Sequence, residues 1–380
     1  MIDRLDPRLV RLGLGIAAPV LAIVLAFAIT SLVLIVAGDP VGEVWSTILS
    51  WPQPRNQANI INNATVLYLS GIAVAIGFRM NLFNIGVDGQ YRVAAFAAAA
   101  VAGEAWLPGY LNTLLAIAAA VLVGAAWAGI AGLLRATRGV SEVIATIMLN
   151  FIATGLVAYL LRKVAVRSEG SNSLGTKQIP EGSRIPGFQI GDGAATEVYG
   201  FLFVAVLVGA GYWFLLNRTR FGFDLRATGR SNSAAVASGI SVGRMTVGAM
   251  MISGGVAALV GLPILFGDAY SYGSTFQSGL GFAGIAIALL GRNHPIGIAL
   301  GALLFAFLDE QSNPLQIIAD VSPDIVAITQ GVIVLTVVIS YEVVRRYGLR
   351  LEQARVAAQL RAAAPVDPSG PTESSKEVSA

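Results

Sequence analysis

The sequence predicts an all-α fold, a polytopic membrane bundle of about ten transmembrane helices, some of them interrupted or re-entrant. Only 12% of the 380 residues are charged, whereas 55% are hydrophobic and the mean hydropathy is +0.71. Soluble domains carry about 25% charged residues. The 43 glycines let helix backbones approach closely in a bilayer, which favours a packed bundle over separate anchors.

The apolar segments define the predicted helices in chain order. Some are too short to cross a bilayer of about 30 Å alone, and the first is too long for a signal-peptide core and is expected to be retained. The predicted spans are Leu9–Ala37, Ala58–Phe78, Tyr91–Leu107, Leu111–Leu134, Val143–Leu161, Val198–Leu216, Met245–Phe266, Leu280–Leu290, Ile296–Leu308 and Asp324–Val344.

The basic residues predict the orientation. With the N-terminus inside, 19 of the 25 Lys and Arg residues fall in cytoplasmic segments, as the positive-inside rule requires. We therefore expect a protein of the cytoplasmic (inner) membrane with both termini in the cytoplasm and lipid around it. No basic face with interleaved aromatics exists, so no nucleic-acid partner is predicted. Residues 1–361 are predicted to form one transmembrane domain and residues 362–380 a disordered tail.

Two interrupted segments suggest that the halves of the chain are related. Asn81–Gln90 and Gly267–Gly281 each separate an apolar span from an Ala-rich one, and the topology directs them toward opposite sides. Equivalent breaks of opposite orientation are typical of an inverted repeat.

The first break, NLFNIGVDGQ, contains Asn84, Asp88 and Gln90 between two apolar spans. Irregular backbone at membrane depth survives only where protein or a water-filled cavity satisfies it. One interpretation is a re-entrant element whose three polar side chains line a translocation path. The other is a cytoplasmic turn whose side chains cap the next helix.

The next motif, GVSEVIATIMLN, places Ser141 and Glu142 at the start of a helix and Asn150 deeper within it. Ser141 is predicted to cap the helix, and Glu142 favours its N-terminus electrostatically. Asn150 either hydrogen-bonds to a neighbouring helix or contacts the translocated substrate.

A short helix is predicted inside the long loop Asn217–Arg244. Ser231 or Ser233 would cap it, Ala234–Ser238 would form its body, and Gly239 would end it in the left-handed conformation. Its small-residue surface suits docking to a partner protein better than lying at a membrane surface.

Several chemistries are absent from the sequence. None of the three lysines is preceded by glycine, so there is no GxxxxGK[ST] phosphate loop, and an ATPase would have to be a separate chain. Cysteine is absent and His294 is the only histidine. We therefore predict no catalytic residues, no metal site and no cofactor.

Four motifs in order, NLFNIGVDGQ, GVSEVIATIMLN, RTRFGFDLRATGRSNSAAVASGI and GLGFAGIAIALLGRNHPIG, cover about Ala58 to Phe307. Together they resemble the permease family of ABC importers for nucleosides and simple sugars, related to branched-chain amino acid and ribose permeases. The resemblance implies a type II importer fold, a second and often non-identical permease chain, two ATPase subunits, and a substrate-binding lipoprotein or periplasmic protein.

The same resemblance implies that Ser231–Ile240 is the coupling helix, with Asn232, Ala234, Ala235, Gly239 and Ile240 matching the family motif. Asp88 stands where that family more often has Glu. The alternatives are an ion-coupled secondary transporter, suggested by the inverted repeat and Asp88, and a membrane scaffold without transport activity.

Overall fold

The computed structural model describes residues 7–167, 174–190, 196–318 and 321–363, and they are predominantly helical. The chain divides into two compact units. One, Thr30–Val334, holds the helical bundle; the other combines the start of the first helix with the end of the last. The predicted single domain over residues 1–361 and the inverted repeat stay predictions.

The helices follow one another with short connections. Their bounds are α1 Pro7–Ala37, α2 Val41–Ile48, α3 Pro54–Phe78, α4 Val87–Glu104, α5 Tyr110–Arg138, α6 Glu142–Val164, α7 Phe201–Arg218, α8 Arg220–Arg230, α9 Asn232–Ala237, α10 Val242–Ala257, α11 Leu262–Ile264, α12 Leu280–Leu290, α13 Pro295–Ser312, α14 Leu315–Ile318 and α15 Asp324–Ala363. A 3₁₀ turn lies at Glu181–Ser183, a π-helical turn at Leu265–Ala269, and two-residue strands β1 Val166–Arg167 and β2 Leu174–Gly175 pair antiparallel.

Helices α3 and α10 form the centre of the bundle. In the most apolar windows of these two segments 78% of the residues are buried, against 28% in α5, α6 and α7. The outer helices expose large apolar side chains such as Leu122, Phe151 and Leu207. Such an apolar exterior is expected where lipid, rather than water, surrounds the protein.

Seven helices within the described residues are long and apolar enough to cross a membrane. The other three predicted spans correspond to α4, α12 and α13. Helix α4 contains Asp88, Arg92 and Glu104, α13 ends in Asp309 and Glu310, and α12 has only 11 residues. The polytopic helical fold is therefore confirmed, whereas the count of ten spans stays a prediction.

The described helices and connections define two faces of the bundle unit. We call the "α9 face" the one where α3, α5 and α7 end and α8 and α9 lie. The opposite "cap face" carries residues 174–190; there Lys177 Nζ lies 2.8 Å from Glu104 Oε2 at the end of α4.

The first break returns into the bundle from the α9 face. The chain leaves α3 at Phe78 and turns through Asn81, which has a φ of 59°. Asn84 Nδ2 then donates to Ser253 Oγ at 2.8 Å, and that hydroxyl donates to the Ala73 carbonyl of α3 at 2.6 Å. Asn84 has thus come back level with the last turns of α3, as a re-entrant segment requires.

The second break enters from the cap face. After the π-helical turn, Tyr270 has a φ of 51°, and its carbonyl accepts from Ile179 N at 2.8 Å. The chain then descends to Gly279, whose N–H donates to Asp88 Oδ1 at 2.8 Å. Helices α4 and α12 therefore begin side by side and run toward opposite faces, the arrangement that an inverted repeat needs.

Helix α12 packs closely because of its glycines. A Cβ at Gly284 would lie 2.8 Å from the carbonyl carbon of Ser70, and one at Gly281 would lie 2.7 Å from Asp88 Cα. Carbon atoms prefer about 3.5–4.0 Å. The spacing GLGFAG thus allows α12 to contact α3 and α4 backbone to backbone.

The first two residues of the predicted tail, 362 and 363, belong to the last helix. Helix α15 continues to Ala363, because the Ala-rich sequence there is a good helix former. The rest of the predicted disordered tail, residues 364–380, lies outside the described residues.

Candidate functional site

The long loop between α7 and α10 folds into two short helices, α8 and α9. Ser231 occupies the N-cap of α9, and its hydroxyl accepts from Ala234 N at 3.3 Å. Gly239 follows the helix with a φ of 79°, a conformation that costs glycine little. The predicted capped helix and its glycine terminator are confirmed.

Helix α9 presents a surface of mostly small side chains. Asn232, Ser233, Ala234 and Gly239 are exposed, and so is Val236, which the sequence pattern did not indicate. Their small side chains leave the backbone accessible to a partner surface.

Three predicted docking residues face the protein to differing degrees. Ala235 has 2% of its surface exposed, and Ser231 and Ile240 are half-buried. Ala235 therefore packs α9 onto the bundle and cannot itself form the outer docking surface of this conformation.

The end of α8 lies against the turn after α3. A Cβ at Gly229 would overlap the Arg79 carbonyl and lie 2.9 Å from Met80 Cα. The Arg79 guanidinium donates at 2.6 Å to the carbonyl of Asn293, which also accepts from Tyr212 Oη at 2.9 Å. Arg79 thus joins the α8–α9 segment to the turn that follows α12.

A cleft of about 380 Å³ opens beside α9 and is lined in part by Arg135, Arg230 and Asn232. Arg135 Nε lies 3.3 Å from Glu142 Oε2, which stands in the first turn of α6. Ser141 is at the N-cap position, but its side chain makes no capping hydrogen bond, so the predicted Ser141 cap is wrong. Glu142 is instead held by the arginine at the end of α5.

The first break contains a closed polar junction. Asn84 Oδ1 accepts from Gln90 Nε2 at 2.9 Å and from Gly86 N at 3.0 Å. Asn84 and Gln90 each have 1% of their surface exposed. Because buried amides need partners, this reciprocal pairing stabilises the start of α4 inside the bundle.

Asn150 fastens the junction to α6. Its Oδ1 accepts from Gly89 N at 2.8 Å, and its Nδ2 donates to the Ile85 carbonyl at 2.9 Å. Asn150 thus makes the interhelical hydrogen bonds that were one of its two predicted roles.

Asp88 lies between the N-termini of α4 and α12. It is in the first turn of α4, is 6% exposed, and accepts from the N-cap amide of α12, Gly279. Its second oxygen is 3.9 Å from Arg92 Nη1. Both helix dipoles favour a negative charge at this position.

The structure therefore brings Asn84, Asp88, Gln90 and Asn150 together around the first turn of α4. In this conformation the hydrogen bonds of these four side chains are made to other groups of the protein. Lining of a translocation path by these side chains stays a prediction. The sequence could not identify Ser253 as a partner, because it lies 169 residues from Asn84.

Comparison with known proteins decides the family. Residues 56–339 match the family described as "Branched-chain amino acid transport system / permease component". The chain belongs to this permease family. The predicted resemblance is thereby confirmed.

The permease is 34% identical over 331 residues to the guanosine ABC transporter permease protein NupP of Bacillus subtilis (strain 168), covering 86% of this chain and 93% of the relative. It is 31% identical over 361 residues to the glucose ABC transporter permease protein TsgB13 of Haloferax volcanii, covering 90% and 92%. A second Bacillus subtilis protein, the guanosine ABC transporter permease protein NupQ, is 30% identical over 268 residues, covering 65% and 79%.

Proposed function

We propose that this permease is the membrane-spanning subunit of an ATP-binding-cassette importer that carries a nucleoside or a simple sugar into the cell. The relatives named for guanosine and glucose transport support this substrate range. ATP hydrolysis would take place on separate ATPase subunits, and the permease itself would have no catalytic role.

The observation that carries the proposal is the exposed surface of α9. A short capped helix with small side chains, placed on the face where α5 and α7 end in arginine, fits a groove on another protein. We assign this surface to the ATPase subunit. When the ATPase pair closes on ATP, it would bind one conformation of the permease more tightly than the other. The permease would therefore shift toward the conformation that is bound more tightly.

The proposed orientation places the α9 face in the cytoplasm, with both termini on that side, in the cytoplasmic membrane. Ten crossings, with α4, α12 and α13 counted, are an even number and satisfy this requirement. The cap face would then lie outside, where a substrate-binding lipoprotein or periplasmic protein would deliver the solute. The interrupted α4 and α12 support a type II arrangement.

We propose that a second, non-identical permease completes the pore. Two Bacillus subtilis permeases are named for guanosine transport, and this chain matches 93% of the length of NupP and 79% of the length of NupQ. This chain would be the NupP-like partner of such a pair.

For the translocation path, we propose that the polar junction of Asn84, Asp88, Gln90 and Asn150 opens during transport and lines the path only then. The chain has no cysteine, so single-cysteine variants report accessibility without background. Labelling of Gln90→Cys in the ATP-bound state, and its absence at rest, is expected. Protection in every state would contradict the lining role.

An ion-coupled secondary transporter is the second candidate, and the opposed breaks with Asp88 between them favour it. The two candidates differ in their need for ATP. We expect purification in mild detergent to recover an ATPase subunit, and uptake of labelled nucleoside to stop on ATP depletion at constant membrane potential. Recovery of the permease alone with undiminished uptake would instead support the secondary transporter.

A matched pair of substitutions tests the docking surface. Ala234 is exposed on α9, so Ala234→Arg should block ATPase docking and abolish uptake without preventing insertion. The control Ala237→Ser changes an exposed position of the same helix by one hydroxyl and should retain uptake. Normal uptake by Ala234→Arg would remove the docking assignment.

A further inference from the structure

A cavity of about 560 Å³ lies at the cap face, along the second break and next to β2. Its wall includes Asp268, Ser271, Ser274, Thr275, Phe276 and Gln277. Ser274, Thr275 and Gln277 are exposed, so the cavity is open to the outside of the bundle. Its volume is within the range of about 300–1,000 Å³ that small-molecule sites occupy.

The cavity wall is fixed from two sides. Toward the cap, Thr176 N donates to the Tyr272 carbonyl and Tyr272 N donates to Thr176 Oγ1, both at 3.0 Å. Toward the centre, Tyr91 Oη donates to the Gln277 carbonyl at 2.9 Å. A wall held in this way loses little conformational freedom when a ligand binds, which favours affinity.

Phe276 supplies an aromatic surface in the wall. Its ring stacks on Tyr272 with 4.6 Å between centroids and 23° between planes, and Tyr272 meets Phe96 edge to face at 5.8 Å. This backing holds the Phe276 ring in one orientation. The wall also contains Leu174, Ile264 and Ala269. A rigid aromatic ring in a wall of mixed apolar and polar side chains suits a ligand with a flat, aromatic part.

Four polar side chains of the wall are available to a ligand. Among the described residues, the side chains of Ser274, Thr275 and Gln277 make no hydrogen bond, and Asp268 forms no ion pair. The wall thus offers neutral hydroxyl and amide groups and one carboxylate.

From these observations we propose that the cavity is a receiving site for an uncharged nucleoside. The base would stack on Phe276, and the ribose hydroxyls would bond to Ser274, Thr275 and Gln277. Asp268 would accept hydrogen bonds from the nucleoside and repel the phosphate of a nucleotide. This proposal rests on the importer function, because a receiving site has to lie on the side from which substrate arrives.

The experiment measures protection of a single cysteine by ligand. Ser274→Cys is expressed in the otherwise cysteine-free permease with its partner subunits, and cells are treated with a membrane-impermeant maleimide. We expect guanosine to slow labelling, whereas guanosine monophosphate and glucose at the same concentration leave it unchanged. Glu181→Cys, exposed in the 3₁₀ turn away from the cavity, should label equally with and without guanosine.

Two further substitutions separate the roles in the wall. In the Ser274→Cys background, Phe276→Ala should raise the half-protecting guanosine concentration roughly tenfold or more, and Phe276→Tyr should not. Asp268→Asn should allow guanosine monophosphate to protect. Thr275→Cys provides a second reporter if Ser274→Cys fails to insert.

The outcomes distinguish this proposal from the importer function. Labelling that guanosine does not slow, protection that Phe276→Ala leaves intact, or equal protection by glucose would overturn the receiving site. The receiving site would also be overturned if neither Ser274→Cys nor Thr275→Cys were labelled while Glu181→Cys was labelled. ATP-driven guanosine uptake without protection would leave the importer standing, whereas no ATP-driven uptake of nucleoside or sugar would remove both.

Discussion

Replacing Gly229 with alanine tests the contact between the α8–α9 segment and the turn after α3. The added Cβ would lie 2.9 Å from Met80 Cα and would overlap the Arg79 carbonyl. Carbon atoms are in optimal contact at about 3.5–4.0 Å, so α8 has to withdraw by about 0.6 Å or more. Overpacking of this kind typically costs about 1–3 kcal/mol.

Gly243→Ala is the matched control, because it adds the same methyl group nearby. Its Cβ would lie 3.7 Å from Ala136 Cβ, an ordinary contact, and alanine favours a helix over glycine by about 1 kcal/mol. Both variants are reconstituted with the ATPase, and nucleoside uptake and ATP hydrolysis are measured in the same vesicles. We expect Gly229→Ala to take up several-fold less nucleoside per ATP, and Gly243→Ala to match the parent. Equal uptake per ATP by the two variants would refute the coupling role of the contact.

Three further predictions concern α12 and its ends. Asp88→Asn removes the charge between two helix N-termini but keeps an acceptor for Gly279 N. Asp88→Ala leaves that amide without a partner, which costs about 1–3 kcal/mol of folding free energy. Asp88→Asn should therefore lower the unfolding temperature less than Asp88→Ala. Gly284→Ala should reduce the yield of folded permease in gel filtration, because its Cβ would lie 2.8 Å from the backbone of Ser70. Arg79→Met removes a charged hydrogen bond worth about 1.5–3 kcal/mol and should lower uptake while the ATPase subunit still co-purifies.

Local chemistry made α9 predictable from the sequence. A serine at the N-cap and a glycine at the left-handed position specify a short helix by hydrogen bonding and backbone conformation alone. The side that α9 turns to the protein was not predictable. Six residues rich in alanine show no apolar periodicity, so the burial of Ala235 and the exposure of Val236 depend on tertiary packing.

For the polar junction, the sequence indicated the residues but not their partners. The sequence indicated that Asn84, Asp88 and Gln90 interrupt an apolar stretch, which is why they stood out as candidates. Their partners come from distant helices, and amide pairing across a bundle leaves no periodic signal. The same sequence features are therefore compatible with a closed junction and with an open path.

One feature of the sequence could have indicated the cap-face cavity, although the polar composition of the segment did not. The second break reads as a Gly- and Ser-rich connection between two spans, and that composition is usual for a loop. What distinguishes it is Phe276 within a run of hydroxyl and amide side chains. An aromatic residue within a polar break is the feature by which a similar site could be found from sequence.

Helix α12 links the two ends of the proposed transport cycle. It is about 16 Å long at 1.5 Å per residue and ends at the turn that Arg79 holds beside the α8–α9 segment. Its N-cap residue, Gly279, follows the cavity wall by two residues. Backbone contacts at Gly281 and Gly284 hold the helix closely against α4 and α3.

We therefore expect a displacement imposed on one end of α12 to appear at the other end. Gly229→Ala acts outside this helix, so guanosine should still protect Ser274→Cys when uptake per ATP has fallen. Gly284→Ala acts within it, and the folded fraction should lose both. Loss of protection in Gly229→Ala would mean that the resting shape of the cavity depends on the contact of the α8–α9 segment as well as on α12.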